Sequence, residues 1–179
     1  MEKEWDIIEV LRHSRHDWLN KLQLIKGNMD LNRIERVKEI VEEIIIEAQQ
    51  ESKLSNIKLP LFASLLLTAN WESHQFQLEY EVLGEGGLPA LNEDLLTYWT
   101  KSFFACLDTS VEPFQENHLS VGIEKQDEGA RFFFDFRGII KQVKLIEQFL
   151  ADSNNQEMEI VVEEFSENEF ALEIFMPVV

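Results

Sequence analysis

Between Leu11 and Asn28 the chain reads LRHSRHDWLNKLQLIKGN, which sets His13 and His16 among Arg12, Arg15, Asp17, Asn20 and Lys21. An unperturbed imidazole, with a pKa of about 6.5, is largely neutral at physiological pH and offers one ring nitrogen lone pair. To accept a phosphoryl group, such a nucleophile needs nearby positive charge, because catalysis of that transfer is mostly positioning and electrostatics. Arg12, Arg15 and Lys21 are cations of the right type close to His16. Asp17 could orient the ring, and Asn20, one turn on, could hydrogen-bond a phosphoryl oxygen or a partner loop.

These residues sit on a predicted helix. Ile8, Leu11, Trp18, Leu22, Ile25 and Met29 recur at three- and four-residue steps, interrupted only by Arg15. On a wheel of about 100° per residue with His16 at zero, the apolar residues centre near roughly 220°. His16 therefore faces away from the apolar stripe. Arg12, Asn20, Gln23 and Gly27 share its side, while His13 lies roughly 60° and Leu24 roughly 80° from it. Gly27 has no side chain and leaves room for a partner's approach.

Asp30 or Asn32 could cap a second stripe of Ile34, Val37, Val41, Ile44 and Ala48. The Gly27-Asn28 pair before it has the chemistry of a helix C-terminus. Residues 1–57 thus read as an antiparallel helical hairpin with a very short connection. Leu19, Leu24, Ile40 and Ile45 make its stripes wider than one partner helix can cover. Two hairpins packed face to face would bury them, which predicts a homodimer built on a four-helix bundle. The competing expectation is that the rest of the same chain covers the hairpin.

Pro60 suits the first turn of another helix. Beyond it, helix patterns (61–75, 92–111 and 141–152) interleave with strand patterns (76–84, 118–125, 130–138, 157–165 and 169–177). Helices with mostly antiparallel strands predict a two-layer α/β sandwich over 58–179, and an α+β protein as a whole.

Bulk properties exclude several classes. A net charge of −18 argues against a nucleic-acid partner, although residues 12–26 form a local +3 island suited to an acidic partner surface. Thirteen Phe and four Trp can fill a sizeable core. The single cysteine, Cys106, excludes an internal disulfide framework. The start MEKEWDIIEV lacks a basic signal-peptide n-region, and no apolar run is long enough to span a membrane. A soluble, cytoplasmic protein is expected. One cysteine and scattered histidines give no metal cluster, and GEGG at 84–87 reads as a turn rather than a phosphate loop. His74 and His118 read as ordinary surface histidines.

The run RHSRHDWLNKLQLIKGN closely resembles the phosphoacceptor helix of the sporulation initiation phosphotransferases of spore-forming bacteria. Its core, His16-Asp17-x-x-Asn20 with Leu22 following, is similar to the dimerisation helix of sensor histidine kinases. The likeness continues through ESKLSN and LEYEVLGE. It implies a homodimer with a central four-helix bundle and a C-terminal domain resembling a degenerate kinase ATP-binding domain. It also implies a reaction in which His16 takes a phosphoryl group from an aspartate of a single-domain response regulator. The group then passes to an aspartate of a sporulation transcription factor. Mg²⁺ in such transfers belongs to the regulator, so no cofactor is expected on this chain.

The same resemblance allows a check for kinase activity. Histidine kinases hold Mg²⁺ through an Asn-bearing helix followed by glycine-rich segments. Here Thr109 stands at the Asn position, DFRGII from Asp135 keeps one glycine, and no second glycine motif follows. ATP-dependent autophosphorylation is not expected. Two alternatives stand beside the phosphotransferase: a cytoplasmic fragment of a sensor kinase, and a dimeric scaffold that binds regulators without accepting phosphate.

Overall fold

The computed structural model describes residues 5–153 and 157–179. The chain is α+β, with two N-terminal helices followed by a five-stranded sheet with helices. Contacts divide it into two compact units, residues 1–49 and 50–179.

In the first unit, helix α1 spans Ile7–Asp30 and helix α2, Ile34–Ser55, begins in it. Asp6 caps α1, its carboxylate accepting from the Glu9 N–H at 2.8 Å. The sequence placed the end of this helix at Gly27-Asn28, but α1 continues through both residues. The Asn28 side chain donates back to the Leu24 carbonyl at 2.9 Å instead of breaking the ladder. The chain reverses at Asn32, whose φ of +54° lies in the left-handed region that Asn tolerates. Neither Asp30 nor Asn32 caps α2, because Asp30 is still helical in α1 and Asn32 makes the reversal. A Lys21–Glu47 ion pair joins the two antiparallel helices.

The end of α2 belongs to the second unit, where Leu54 and Ile57 are fully buried in the core. Helix α3 is Pro60–Thr68, with Pro60 at its first turn as expected. One 3-10 turn, Ala69–Trp71, follows it. The helical pattern predicted through Gln75 therefore stops four residues early. Asn70 is drawn off to strand β1 (Gln77–Leu83), where its side chain pairs with both the N–H and the C=O of Leu78 at 2.8 Å. Gln50 accepts from the Val82 N–H in the same way. Side-chain amides thus occupy an edge that would otherwise invite another strand.

The remaining elements are α4 (Glu93–Ser110), β2 (His118–Gln126), β3 (Gly129–Arg137), α5 (Val143–Ser153), β4 (Glu159–Phe165) and β5 (Glu169–Pro177). The sheet order is β1-β2-β3-β5-β4. β1 and β2 pair in parallel across α4, and all other pairs are antiparallel. Period-two alternation explains ARFFFDFRG: Phe132, Phe134 and Phe136 are buried, whereas Phe133 and Asp135 lie on the opposite face. The buried phenylalanines meet Phe62 of α3, Trp99 and Phe103 of α4, and Phe170 of β5 in edge-on and stacked contacts. One sheet face is thus covered by helices, giving the two layers expected.

Candidate functional site

Helix α1 carries the candidate residues, and none of the helix is buried within the chain. His16 is 73% exposed. Its Nδ1 lies 3.2 Å from the Asn20 side-chain amide, one helical turn on, and 3.6 Å from Asp17 Oδ1. The spacing of four residues places Asn20 directly over His16, as the wheel required. The amide bonds Nδ1 with the carboxylate close beside it, and the rest of the ring is left to solvent.

The surrounding cations are not equivalent. Arg12 and Arg15 are exposed and enter no ion pair among the described residues. Lys21 is engaged instead, paired with Glu47 and lying 5.7 Å from the centre of the Trp18 ring. Its charge is largely committed to the hairpin. His13 packs edge-on against Trp5 with ring centroids 5.2 Å apart. Gln23, Leu24 and Gly27 follow along the exposed helix surface. A Cβ built on Gly27 would meet nothing within 4 Å, so the open approach beside it does not depend on glycine within this unit.

In the second unit, the positions compared with a kinase site are used locally. Thr109 Oγ1 donates to the Ala105 carbonyl at 3.0 Å, and the Gly138 N–H donates to the Asn168 carbonyl at 2.8 Å. No cluster of three or more His, Cys, Asp or Glu side chains suited to a metal occurs among the described residues. No described helix is long and apolar enough to cross a membrane.

The structure also joins residues that the sequence left separate. His74 Nδ1 lies 2.7 Å from Asp108 Oδ2, while Asp108 Oδ1 accepts from the Gln75 N–H at 2.8 Å. The ring stacks on Phe76 and meets Phe104 edge-on. His74 is thus no free surface histidine. It ties the start of β1 to the end of α4 across 34 residues of sequence, a separation no local pattern reveals. Asn117 does similar work: it is 2% exposed and bonds Gln75, Glu112 and Ile139 at 2.8 to 3.0 Å.

Residues 1–57 match the family model described as the alpha-helical domain of the sensor kinase SpoOB type. Residues 58–177 match the model for the C-terminal region of sporulation initiation phosphotransferase B. The chain belongs to the sporulation initiation phosphotransferase B family. That family places it among the phosphotransferases. A curated relative, sporulation initiation phosphotransferase B of Bacillus subtilis (strain 168), is 38% identical over 171 residues, covering 94% of this chain and 88% of that one.

Solved structures with a similar chain path include a bacterial phosphotransferase, 11% identical over 96% of this chain and 98% of that one, with a TM-score of 0.38. Another is the histidine kinase AdeS of Acinetobacter baumannii, 8% identical over 91% and 98% of the two chains, with a TM-score of 0.45. The family assignment rests on the two models and the Bacillus subtilis relative.

Proposed function

We propose that this protein is the histidine phosphotransferase of a phosphorelay controlling sporulation initiation. The observation that carries the reading is His16, exposed on a helix, with Nδ1 turned to Asp17 and Asn20 and with Arg12 and Arg15 unpaired close by. The aspartyl phosphate of a single-domain response regulator is the donor. A nitrogen lone pair of His16 attacks phosphorus, an N–P bond forms, and the P–O bond breaks to release the regulator's aspartate as carboxylate. The arginines offset charge on the phosphoryl oxygens while the group is in flight. In the second half-reaction, the carboxylate of a response-regulator transcription factor attacks phosphorus and His16 leaves.

The protein acts as a cytoplasmic homodimer in this reading. Leu11, Trp18, Leu22 and Met29 all remain about half exposed in the single chain, an unburied seam that a second hairpin would cover. Mg²⁺ belongs to the regulator. The engaged hydroxyl of Thr109 and the engaged N–H of Gly138 support a second unit without ATP-dependent kinase chemistry. Arg12, His13, Gln23, Leu24 and Gly27 form the regulator-docking surface, with Lys21 at its hairpin border.

Incubation with phosphorylated single-domain regulator should transfer acid-labile, base-stable label to the protein, and His16→Ala should abolish it. Label persisting in that variant sinks the assignment. Labelled ATP with Mg²⁺ should give no incorporation, which separates this reading from a sensor-kinase fragment. A scaffold would bind regulators but take no label.

A further inference from the structure

His13 and His16 stand three residues apart on α1, about 4.5 Å along the helix axis and roughly 60° around it. A phosphoryl group brought to one ring is therefore brought close to the other. Spacing alone does not choose between them, because each has a polar side chain four residues on, Asn20 for His16 and Asp17 for His13.

The two rings differ in their surroundings. His16 is 73% exposed, with Nδ1 lying 3.2 Å from the Asn20 amide. His13 is only partly exposed, and its ring meets Trp5 edge-on, with 5.2 Å between centroids and 80° between planes. Trp5 immediately precedes the cap of α1. Asp6 accepts there from the Glu9 N–H through its carboxylate at 2.8 Å and from the Val10 N–H through its carbonyl at 3.0 Å. The cap thus fixes the chain that carries the indole. A hydrophobic residue at this place commonly packs on the fourth helical residue, here Val10, a task that any aliphatic side chain performs. The indole reaches one turn further, to His13, and that reach needs a large planar side chain.

We propose that Trp5 is a positioning residue that selects the nucleophile: its ring holds His13 out of line with phosphorus and leaves His16 as the acceptor. The proposal rests on the phosphotransfer reading for the identity of the electrophile. Attack needs a nitrogen lone pair aimed at phosphorus near contact distance, along a clear path. An imidazole held against an indole loses the rotations that would aim it. With the indole removed, a nitrogen of His13 attacks the regulator's aspartyl phosphate. An N–P bond then forms, the P–O bond breaks, and the aspartate leaves as carboxylate.

Two measurements on the full-length protein test this role. In the first, diethyl pyrocarbonate modifies the histidines and peptide mass spectrometry follows the rate at each. His13 should react at least tenfold more slowly than His16 in the native protein. Its rate should rise at least fivefold in Trp5→Ala and stay low in Trp5→Phe, which restores an aromatic edge. In the second, phosphorylated single-domain regulator is added to His16→Ala with and without Trp5→Ala. Only the double variant should take acid-labile label, and adding His13→Ala should remove it. The proposal is overturned if His13 reacts within twofold of His16 in the native protein. It is equally overturned if Trp5→Ala leaves the His13 rate unchanged, or if the double variant gains no label over His16→Ala. Failure of the phosphotransfer reading looks different, since the native protein then takes no label while the reagent still separates the two histidines.

Discussion

The Asn20 side-chain amide lies 3.2 Å from His16 Nδ1, on the same side of the ring as the Asp17 carboxylate at 3.6 Å. The Asn20 amide nitrogen and the Asp17 carboxylate thus both stand on the Nδ1 side, which leaves Nε2 as the nitrogen open to an incoming phosphoryl group. Phosphorylation is therefore expected on Nε2, as read by ³¹P–¹⁵N correlation in labelled protein, and a Nδ1 product would contradict the orienting role. Asn20→Ala should slow transfer by about 10- to 100-fold with His16 still labelled, because a misaligned nucleophile costs on that order.

The apolar stripe of α1 sets a second expectation. Leu22→Glu would place a charge in the seam proposed between two hairpins, where burying a leucine contributes about 1.5–3 kcal/mol per copy. Sedimentation should show the native protein as a dimer and Leu22→Glu as a monomer. An unchanged mass for the variant would remove this seam as the interface.

Asn117 links three segments of the second unit through its side chain. Asn117→Ala should lower stability by about 2–4 kcal/mol, since it leaves buried carbonyl and amide groups without partners. Asn117→Asp should also destabilise, because a carboxylate can accept from Ile139 but cannot donate to Gln75 or Glu112. Denaturant unfolding followed by tryptophan fluorescence reads both.

Asp135 lies on the uncovered face of the sheet. Loss of hydration raises its carboxyl above the ordinary range, Arg137 pulls it back, and Glu163 pushes it up. The folded state thus holds this proton more tightly than the unfolded chain. The carboxylate is destabilising above the raised value, and stability recovers as pH falls through it toward the unfolded pKa of about 3.9. Asp135→Asn should stabilise the protein at pH 7 by less than about 1 kcal/mol, given solvent screening. Thermal melts of the two proteins should converge below the unfolded value.

Burial pushes the Cys106 thiol up, and its contact with Ser110 opposes this only in part. Its reaction with a disulfide reagent at pH 7 should run about tenfold slower than that of free glutathione. A faster rate would mean that the thiol is more accessible than its place beside Leu145 allows.

Local pattern alone determined the helices, nearly all strand positions and the face on which His16 sits. Each depends on side-chain periods of 3.6 or 2, which are written along the chain. The three inward phenylalanines of β3 and the His16–Asn20 pairing were legible for that reason. Tertiary structure alone decided the rest, because those relationships join residues distant in sequence or set two local preferences against each other. Asn28 and Asn32 show such a competition: either could have ended α1, and the chain turns at Asn32. Lys21 looked free for phosphoryl oxygens until Glu47, 26 residues away, took it up. The parallel pairing of β1 with β2, the His74–Asp108 contact and the clamp by Asn117 all depend on chain crossings that no short window contains. The sequence thus singled out His16 as the candidate nucleophile, and the fold determined which of its neighbours remain free beside it.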